Sequence, residues 1–296
     1  MRIVIQGLDG QDRLDRVLRD RFPGWGRRAV GALINSRKVI VNGRTVWLSS
    51  WQIKNGDQLE IIEIPPEKKP PPVALDDAWI IAHESDLLVL NKPAGLLSHA
   101  TRSAGASDLL SLTVARFGPL TLFHRLDRDT SGLVLLTRGG PINRYLDSAF
   151  KAGDVEKEYI AAVAAGGWLS ATGMIQARIG PHPRRRDMMA AVERGGREAR
   201  TRYEVIGEAS GVQLVRLWPQ TGRTHQLRIH LLAIGAPVLG DRLYGPRPPS
   251  TRRLMLHACR LSLPEAVGFP ARVFRAPVPE DFVAELPRPL QEIASN

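Results

Sequence analysis

Apolar positions fall into helical register early in the chain. Leu14, Val17 and Leu18 recur three and four apart, as do Val30, Leu33 and Ile34, which predicts two short amphipathic helices. The register then changes. Val39-Ile40-Val41 and Thr45-Val46-Trp47 flank Asn42-Gly43, and Asn-Gly between two such runs predicts a tight hairpin, because that turn needs positive φ at both central residues. Residues 65–72 read Pro-Pro-Glu-Lys-Lys-Pro-Pro-Pro. So many prolines cannot enter a helix or a central strand, and they favour an extended spacer. The pattern thus divides the chain into an N-terminal module, 1–64, a linker, 65–75, and a larger domain, 76–296.

Over the larger domain, short apolar runs alternate with single helices and predict one α+β domain with mainly antiparallel strands. Residues 87–90 read as a buried strand and 91–95 as the turn after it; 133–137 and 158–163 are further strands, and 199–206 with 212–218 form a hairpin. Pro141 opens a helix that Gly153 stops at Ala152. Leu227, Leu231 and Ile234 share one face of a second helix, which Gly235 closes. Arg228, one residue off that face, can reach a neighbouring carboxylate.

One stretch breaks the pattern. Residues 124–132 read His-Arg-Leu-Asp-Arg-Asp-Thr-Ser-Gly, with two acids and two guanidinium groups between Arg125 and Asp129, directly before the apolar run 133–136. Charges beside a core are costly unless paired or used. The stretch is either a loop that carries chemistry on a rigid strand or a solvated connection with local ion pairs.

Composition narrows the choice. A length of 296 residues suits two domains, and a hydrophobic share of 43% suffices for a core. The formal charge of +11 points to a polyanion, either nucleic acid or an anionic membrane surface. No apolar run approaches the roughly 18 residues of a membrane span, and the start of the chain lacks the apolar segment of a signal peptide. The expectation is a soluble, cytoplasmic protein. Residues 1–64 hold 11 basic and 7 acidic side chains and the remainder 30 and 23, as expected if one polyanion crosses both parts. Arginine far outnumbers lysine, which suits a bidentate grip on phosphates. Cys259 is the single cysteine; it excludes an intrachain disulfide and a multi-cysteine metal site, and reads as a buried strand thiol.

Residues 124–132 resemble the signature loop of the RluA family of RNA pseudouridine synthases. The leading His-Arg separates it from the sister RsuA family, where Gly-Arg is usual. The resemblance implies a pseudouridine-synthase-like α+β domain with Asp127 as the catalytic residue. Lys157-Glu158-Tyr159 matches the family's Lys-x-Tyr motif, which implies Tyr159 at a strand edge with its ring against the target uracil and its hydroxyl a candidate for handling a proton. Thr221-Gly222-Arg223-Thr224-His225-Gln226-Leu227-Arg228-Ile229-His230 matches a third motif and implies that Arg228 pairs with Asp127, fixing its direction and favouring its charged form. Arg125 matches the arginine that fills the stack vacated by a flipped nucleotide, and His124 is assigned no proton transfer. Residues 86–99, 235–245 and the closing strands at 256–258 and 274–277 extend the similarity over nearly the whole chain.

The N-terminal pattern resembles the S-four-like module, a small α/β RNA-binding fold. Arg27, Arg28, Arg37, Lys38 and Arg44 would supply its basic surface, with Gly26 standing where a Ser often caps the second helix. The alternative for these charges is a solvated helix face. Pro183 to Asp187 would be a loop whose three adjacent guanidiniums suit phosphates or merely solubilise. By residue type alone, Tyr159 is a core residue with its hydroxyl at the rim, and Arg228 a surface ion pair or a phosphate contact.

The implied reaction breaks the bond from uracil nitrogen to ribose, turns the base and rejoins it through carbon 5. It needs a carboxylate near the sugar, acting as nucleophile or as base, and no redox cofactor, triphosphate or obligatory metal. A metal-dependent phosphohydrolase built on His124, Asp127 and Asp129 competes poorly, since arginines flank both acids and the spacing of His225 and His230 does not stack two ligands on one helical face. A serine hydrolase at Ser131 lacks the Gly-x-Ser-x-Gly elbow. A non-catalytic RNA-binding or ribosome-assembly factor is the serious rival, opposed by the intact Asp127, Tyr159 and Arg228. The appended module points to large-subunit ribosomal RNA, with transfer RNA second; no membrane and no obligatory protein partner are implied.

Overall fold

The computed structural model describes residues 2–22, 27–62, 74–99, 108–164, 169–185, 188–246 and 250–295. They divide between two compact units, one up to residue 62 and one from residue 74 on. The expected linker lies outside the described residues through 73, as do Gly26, Arg186, Asp187 and the side chain of Arg28.

The first unit runs β1 (Arg2–Val4), β2 (Gln11–Arg13), α1 (Leu14–Arg21), α2 (Arg27–Asn35), β3 (Val39–Val41), β4 (Arg44–Val46), β5 (Gln52–Lys54) and β6 (Gln58–Ile61). Four strands form a sheet in the order β1-β6-β3-β4, and β2 pairs with β5. The apolar faces read from the sequence, Leu14, Val17 and Leu18 on α1 and Val30, Leu33 and Ile34 on α2, are buried together with Val39, Val41 and Leu59. Asn42 and Gly43 both take positive φ, 50° and 78°, as the tight hairpin turn requires. Asn42 also ties the hairpin to β6, accepting from Gln58 N at 2.8 Å and donating to Asp57 at 2.9 Å.

The second unit runs β7 (Ile80–His83), β8 (Leu87–Lys92), α3 (Leu109–Phe117), β9 (Thr121–Leu122), β10 (Ser131–Thr137), α4 (Pro141–Ala152), β11 (Glu156–Ala164), β12 (Thr172–Pro181), β13 (Met189–Val192), β14 (Arg197–Ala209), β15 (Val212–Pro219), α5 (Gln226–Ala233), β16 (Leu256–Leu263), β17 (Arg272–Arg275), α6 (Glu280–Val283) and α7 (Arg288–Ser295). Its sheet has the order β13-β12-β14-β15-β11-β16-β10-β8-β7, with β17 on β16 and β9 on β10. Every pairing between these strands is antiparallel except β10 with β16, which is parallel at Ser131↔His257 and Gly132↔Ala258. The sheet is therefore mixed and mainly antiparallel, as the sequence implies.

The continuous apolar run of β10 has a physical cause: both faces of the strand are covered. Leu133 and Leu135 pack with Ile142 and Leu146 of α4, while Val134 and Leu136 pack with Leu109 of α3 and with Leu126. The other half of the sheet buries Leu214, Val215 and Leu217 against Leu227 and Leu231 of α5 and Phe282 and Leu290 from the C-terminal helices. Gly132 makes the parallel junction possible. Its φ is +119°, and a Cβ there would stand 2.3 Å from the carbonyl oxygen of Ala258.

Three expectations need correction. The strand beginning at Leu87 continues through Asn91 and Lys92, because antiparallel pairing with β10 extends to Lys92↔Gly132. Ile234 is 37% exposed; α5 ends before it at Ala233, so the buried side of that helix rests on Leu227 and Leu231. Tyr159 does not lie at an edge. It pairs on one side with Leu217 of β15 and on the other with Ala258 of β16.

Candidate active site

The loop at 124–130 is fastened before it is charged. Leu126 is buried in the core, and its backbone is clamped by Ser98, whose hydroxyl accepts from Leu126 N at 3.0 Å and donates to Leu126 O at 2.9 Å. Gly95 N donates to Arg128 O at 2.8 Å. Lys92, wholly buried, gives its three protons to the carbonyls of Pro93, Leu96 and Arg128 at 2.9, 2.8 and 3.0 Å. Burial pushes its amine down to about 7, with Asp129 and Asp127 pulling the other way. Residues 126–128 are thus held by main-chain and buried polar contacts on one side, which leaves the carboxylate of Asp127 free to face the other. Arg128 pairs with its neighbour Asp129 at 3.1 Å. Arg125 is exposed and makes no ion pair with a described residue.

Asp127 is joined by Arg228 of α5. Nη1 donates to Asp127 Oδ2 at 3.1 Å, while Nε and Nη2 fork onto Asp241 Oδ2 and Oδ1 at 2.7 and 2.8 Å. Asp241 Oδ1 also accepts from the backbone N–H groups of Leu243 and Tyr244 at 2.9 and 3.0 Å, so both its oxygens are satisfied. Burial raises the cost of the Asp241 charge, but Arg228 and the two amides overcome it and hold the carboxyl below its ordinary range. Likewise burial opposes the Arg228 charge and Asp241 outweighs it. The ring of Tyr244 lies 5.0 Å beneath the guanidinium carbon. Gly240 lets the chain turn into Asp241: its φ is +71°, and a Cβ would collide with the carbonyl oxygen of Arg253.

The turn before α5 is locked by Gln226. Its amide oxygen accepts from Thr221 Oγ1 at 2.7 Å and Arg223 N at 3.0 Å, and its nitrogen donates to Arg200 O and Thr201 Oγ1, both at 3.0 Å. All four bonds that side chain can make are made. His225 consequently sits with positive φ, 56°, its Nδ1 bonded to Tyr244 Oη at 2.8 Å and its Nε2 3.8 Å from Asp127 Oδ1. Burial lowers its pKa more than Asp127 restores it.

Asp127, His225, Gln226 and Arg228 face a cleft of about 400 Å³ lined also by Tyr159, Phe150, Lys157, His124, Arg125 and Arg223. Burial pushes the Tyr159 phenol up, and Asp127 and Cys259 add to that. Its hydroxyl bonds to no described residue, so the O–H is available to the cleft. His124 stacks on Phe150 at 5.9 Å and accepts from Leu135 N at 3.3 Å; burial, with Lys157 nearby, brings its pKa down to about 3. A neutral imidazole fixed in this way supports the loop.

The three residues singled out for chemistry, Asp127, Tyr159 and Arg228, are therefore brought to one cleft, with Arg125 at its border. Of the N-terminal basic set, Arg27, Arg37 and Arg44 are exposed and Lys38 half-buried, and Arg37 lies 5.9 Å over the exposed ring of Trp47. Arg184 and Arg185 are exposed. Cys259 is half-buried rather than fully buried, and burial pushes its thiol up to about 12, which leaves it unreactive. Sequence reasoning missed Asp241, His225, Lys92 and Ser98. The motif around Gly240-Asp241 was visible, but nothing in it named Arg228 as the partner.

The family described as RNA pseudouridylate synthase matches residues 86–233. The chain is 31% identical over 294 residues, 92% of its own length and 89% of the relative's, to a protein from Haemophilus ducreyi named ribosomal large subunit pseudouridine synthase D. It is 34% identical to an uncharacterized RNA pseudouridine synthase from Chloroflexus aurantiacus, over 99% of this chain and 94% of that one. Among solved structures, human RNA pseudouridylate synthase domain containing 1 is similar with a TM-score of 0.57 and 29% identity, covering 68% of this chain and 83% of that one.

Proposed function

The chain belongs to the RluA family of RNA pseudouridine synthases, and from that premise we propose that it isomerises specific uridines of large-subunit ribosomal RNA in the cytoplasm, with Asp127, Tyr159 and Arg228 as its catalytic residues. The observation that carries the assignment is the Asp241–Arg228–Asp127 chain of ion pairs at the cleft. An arginine already saturated by a buried acid has one nitrogen to offer, and that nitrogen meets Asp127. Relatives named for the large ribosomal subunit support the choice of RNA.

In this reading the target nucleotide leaves the RNA stack and enters the cleft, at an unstacking cost of a few kcal/mol. Arg125, exposed beside Asp127 and without an ion pair among the described residues, fills the space left behind. Arg228 ties Asp127 Oδ2, so Oδ1 is the oxygen that meets the ribose, as nucleophile on the sugar carbon or as base toward the sugar. The freed base turns against the ring of Tyr159. Because burial keeps that phenol protonated, Tyr159 first serves as an O–H donor to the base, and it takes the carbon 5 proton only after giving up its own. No redox group, triphosphate or metal enters these steps.

The first unit is the S-four-like RNA-binding module, and Arg27, Arg28, Arg37, Lys38 and Arg44 are its phosphate contacts. Tritium release from RNA labelled at carbon 5 of uridine tests the whole reading, with unmodified ribosomal and transfer RNA compared and Asp127→Asn alongside. Release from ribosomal RNA that the substitution abolishes is expected. Release from transfer RNA alone would replace the substrate, and release by Asp127→Asn would remove Asp127 from the chemistry.

A further inference from the structure

Among the described residues, Lys157 has no acid to pair with. It precedes Tyr159 by two residues in β11, so the pleat sends both side chains to one face, and both line the cleft. The flanking acids occupy the opposite face and are taken by arginines, Glu156 by Arg260 at 2.8 Å and Glu158 by Arg216 at 3.4 Å. Among the described residues nothing accepts a hydrogen bond from Lys157 Nζ. Its neighbour is the ring of Phe150, with Nζ 5.3 Å from the centroid. His124 on the same ring is neutral and gives no counter-charge.

Lys92 shows how this protein satisfies a buried lysine whose role is purely structural, since three carbonyls take its three protons. Among the described residues Lys157 has no such carbonyls, and burial works against its charge. A partly desolvated cation that lacks an anion is costly to keep. The other cations of the cleft differ: Arg228 is committed to Asp241 and Asp127, Arg223 donates to Glu198 O at 3.0 Å, and Arg125, though it too makes no ion pair with a described residue, is exposed to solvent rather than partly buried.

We propose that Lys157 is an anion subsite of this cleft and takes a backbone phosphate of the RNA strand that carries the target uridine. The proposal rests on the assignment of the cleft to that uridine. Its position favours phosphate: Lys157 belongs to the wall made by Phe150 and His124, next to Arg125, whereas the ring of Tyr159 offers the flat surface for a base. A compact ammonium on a long stem suits a single phosphate oxygen.

The test uses the full chain and a stem–loop RNA that the wild-type enzyme converts. Asp127→Asn and Asp127→Asn/Lys157→Met are compared for affinity as a function of salt, and the methionine keeps an aliphatic stem on Phe150. The expected result is an affinity about tenfold weaker, with the slope of log affinity against log salt reduced by about 0.7 to 0.9, as for one lost phosphate contact. A methylphosphonate at one linkage flanking the uridine should weaken Asp127→Asn by a similar factor and leave the double variant unaffected. With Asp127 intact, Lys157→Met should raise KM more than it lowers kcat, and Lys157→Arg should restore KM. If the methionine variant fails to fold, Lys157→Gln replaces it. An unchanged slope and affinity, a methylphosphonate penalty of full size in the double variant, or a fall in kcat at constant KM would each overturn the subsite. Turnover by Asp127→Asn would instead remove the assignment of the cleft, and the proposal with it.

Discussion

Asp241 grips Arg228 through two parallel hydrogen bonds, Nε to Oδ2 at 2.7 Å and Nη2 to Oδ1 at 2.8 Å, and so decides where the third nitrogen points. Replacing the acid by Asp241→Asn turns an amide N–H toward the guanidinium and leaves a buried cation half-paired. Loss of one partner of a buried pair costs about 3 to 5 kcal/mol, which thermal unfolding would register. The carboxylate of Asp127 loses its fixed direction as well, and a misplacement near 1 Å is worth on the order of 10²-fold in rate. Tritium release should fall by that order with RNA affinity little changed. A variant that melts early but turns over normally would make Asp241 purely structural.

Tyr159→Phe separates ring from hydroxyl. The ring keeps its place between β15 and β16 and its face toward the cleft, so RNA binding is expected to persist. The proton step loses its donor, and single-turnover tritium release should drop by about 10² to 10⁴. A rate within a few-fold of wild type would confine Tyr159 to stacking.

The parallel junction beside the loop tests whether glycine is needed for space or for φ. Gly132 and Gly153 both have positive φ, +119° and +84°, but only at Gly132 would a Cβ meet backbone, 2.3 Å from Ala258 O. Gly153→Ala pays the left-handed penalty alone, about 1 kcal/mol. Gly132→Ala must also part β10 from β16 and should cost upward of about 3 kcal/mol by urea denaturation, with the Asp127 loop disturbed and activity lost. Equal costs for the two would mean that the strands yield more readily than their pairing suggests.

Acid should destabilise the enzyme through His257 in a defined window. Arg253 Nη2 donates to Ser131 Oγ at 2.6 Å, Ser131 Oγ to His257 Nδ1 at 2.9 Å, and His257 Nε2 faces Ala276 O at 3.4 Å. That direction of donation requires a neutral imidazole with its proton on Nε2. Burial lowers its pKa from 6.5 to about 4, with Ala276 O opposing. The unfolded chain therefore binds the proton first as pH falls. The stability due to the neutral ring is present above 6.5 and is lost between 6.5 and about 4, a change on the order of 3 kcal/mol. His230, also brought to about 4, adds slope in the same window. Urea midpoints measured from pH 7 to 4 should decline, and His257→Gln should remove part of the decline. A slope identical in the variant would acquit His257.

Much of this was legible in the sequence where local rules govern. The helix Pro141–Ala152 is bounded by Pro and Gly, as read, and the hairpin at Asn42-Gly43 follows from φ alone. Asp127, Tyr159 and Arg228 were carried by motifs of mixed chemistry. What escaped depends on pairing between distant segments. Asp241 lies 13 residues beyond Arg228, and a lone acid in a Gly-rich turn gives no sign of its partner. Lys92 reads as a turn residue, because a lysine whose protons all go to carbonyls leaves no charge pattern. Ile234 has the right helical spacing, but the helix ends one residue before it. The strands of three residues in the first unit are too short to show a period at all.

The basic surface of the first unit is open to the same kind of trial. Arg37 and Arg44 are exposed, on either side of the hairpin strand β3, and Arg37 is held over the Trp47 ring at 5.9 Å. Because Arg37 has a φ of 60°, its neutral replacement should tolerate the left-handed region, which makes Arg37→Asn the clean substitution and Arg44→Gln its companion. If both guanidiniums meet phosphate, the pair of changes lowers the salt slope of RNA affinity by about 0.7 to 0.9 for each and raises KM, while the rate at saturating RNA holds because Asp127 and Arg228 lie in the other unit. If the arginines are only a solvated face, affinity and slope stay where they were. A fall in the saturated rate would mean instead that the module helps to deliver the uridine to the cleft, beyond merely retaining the RNA.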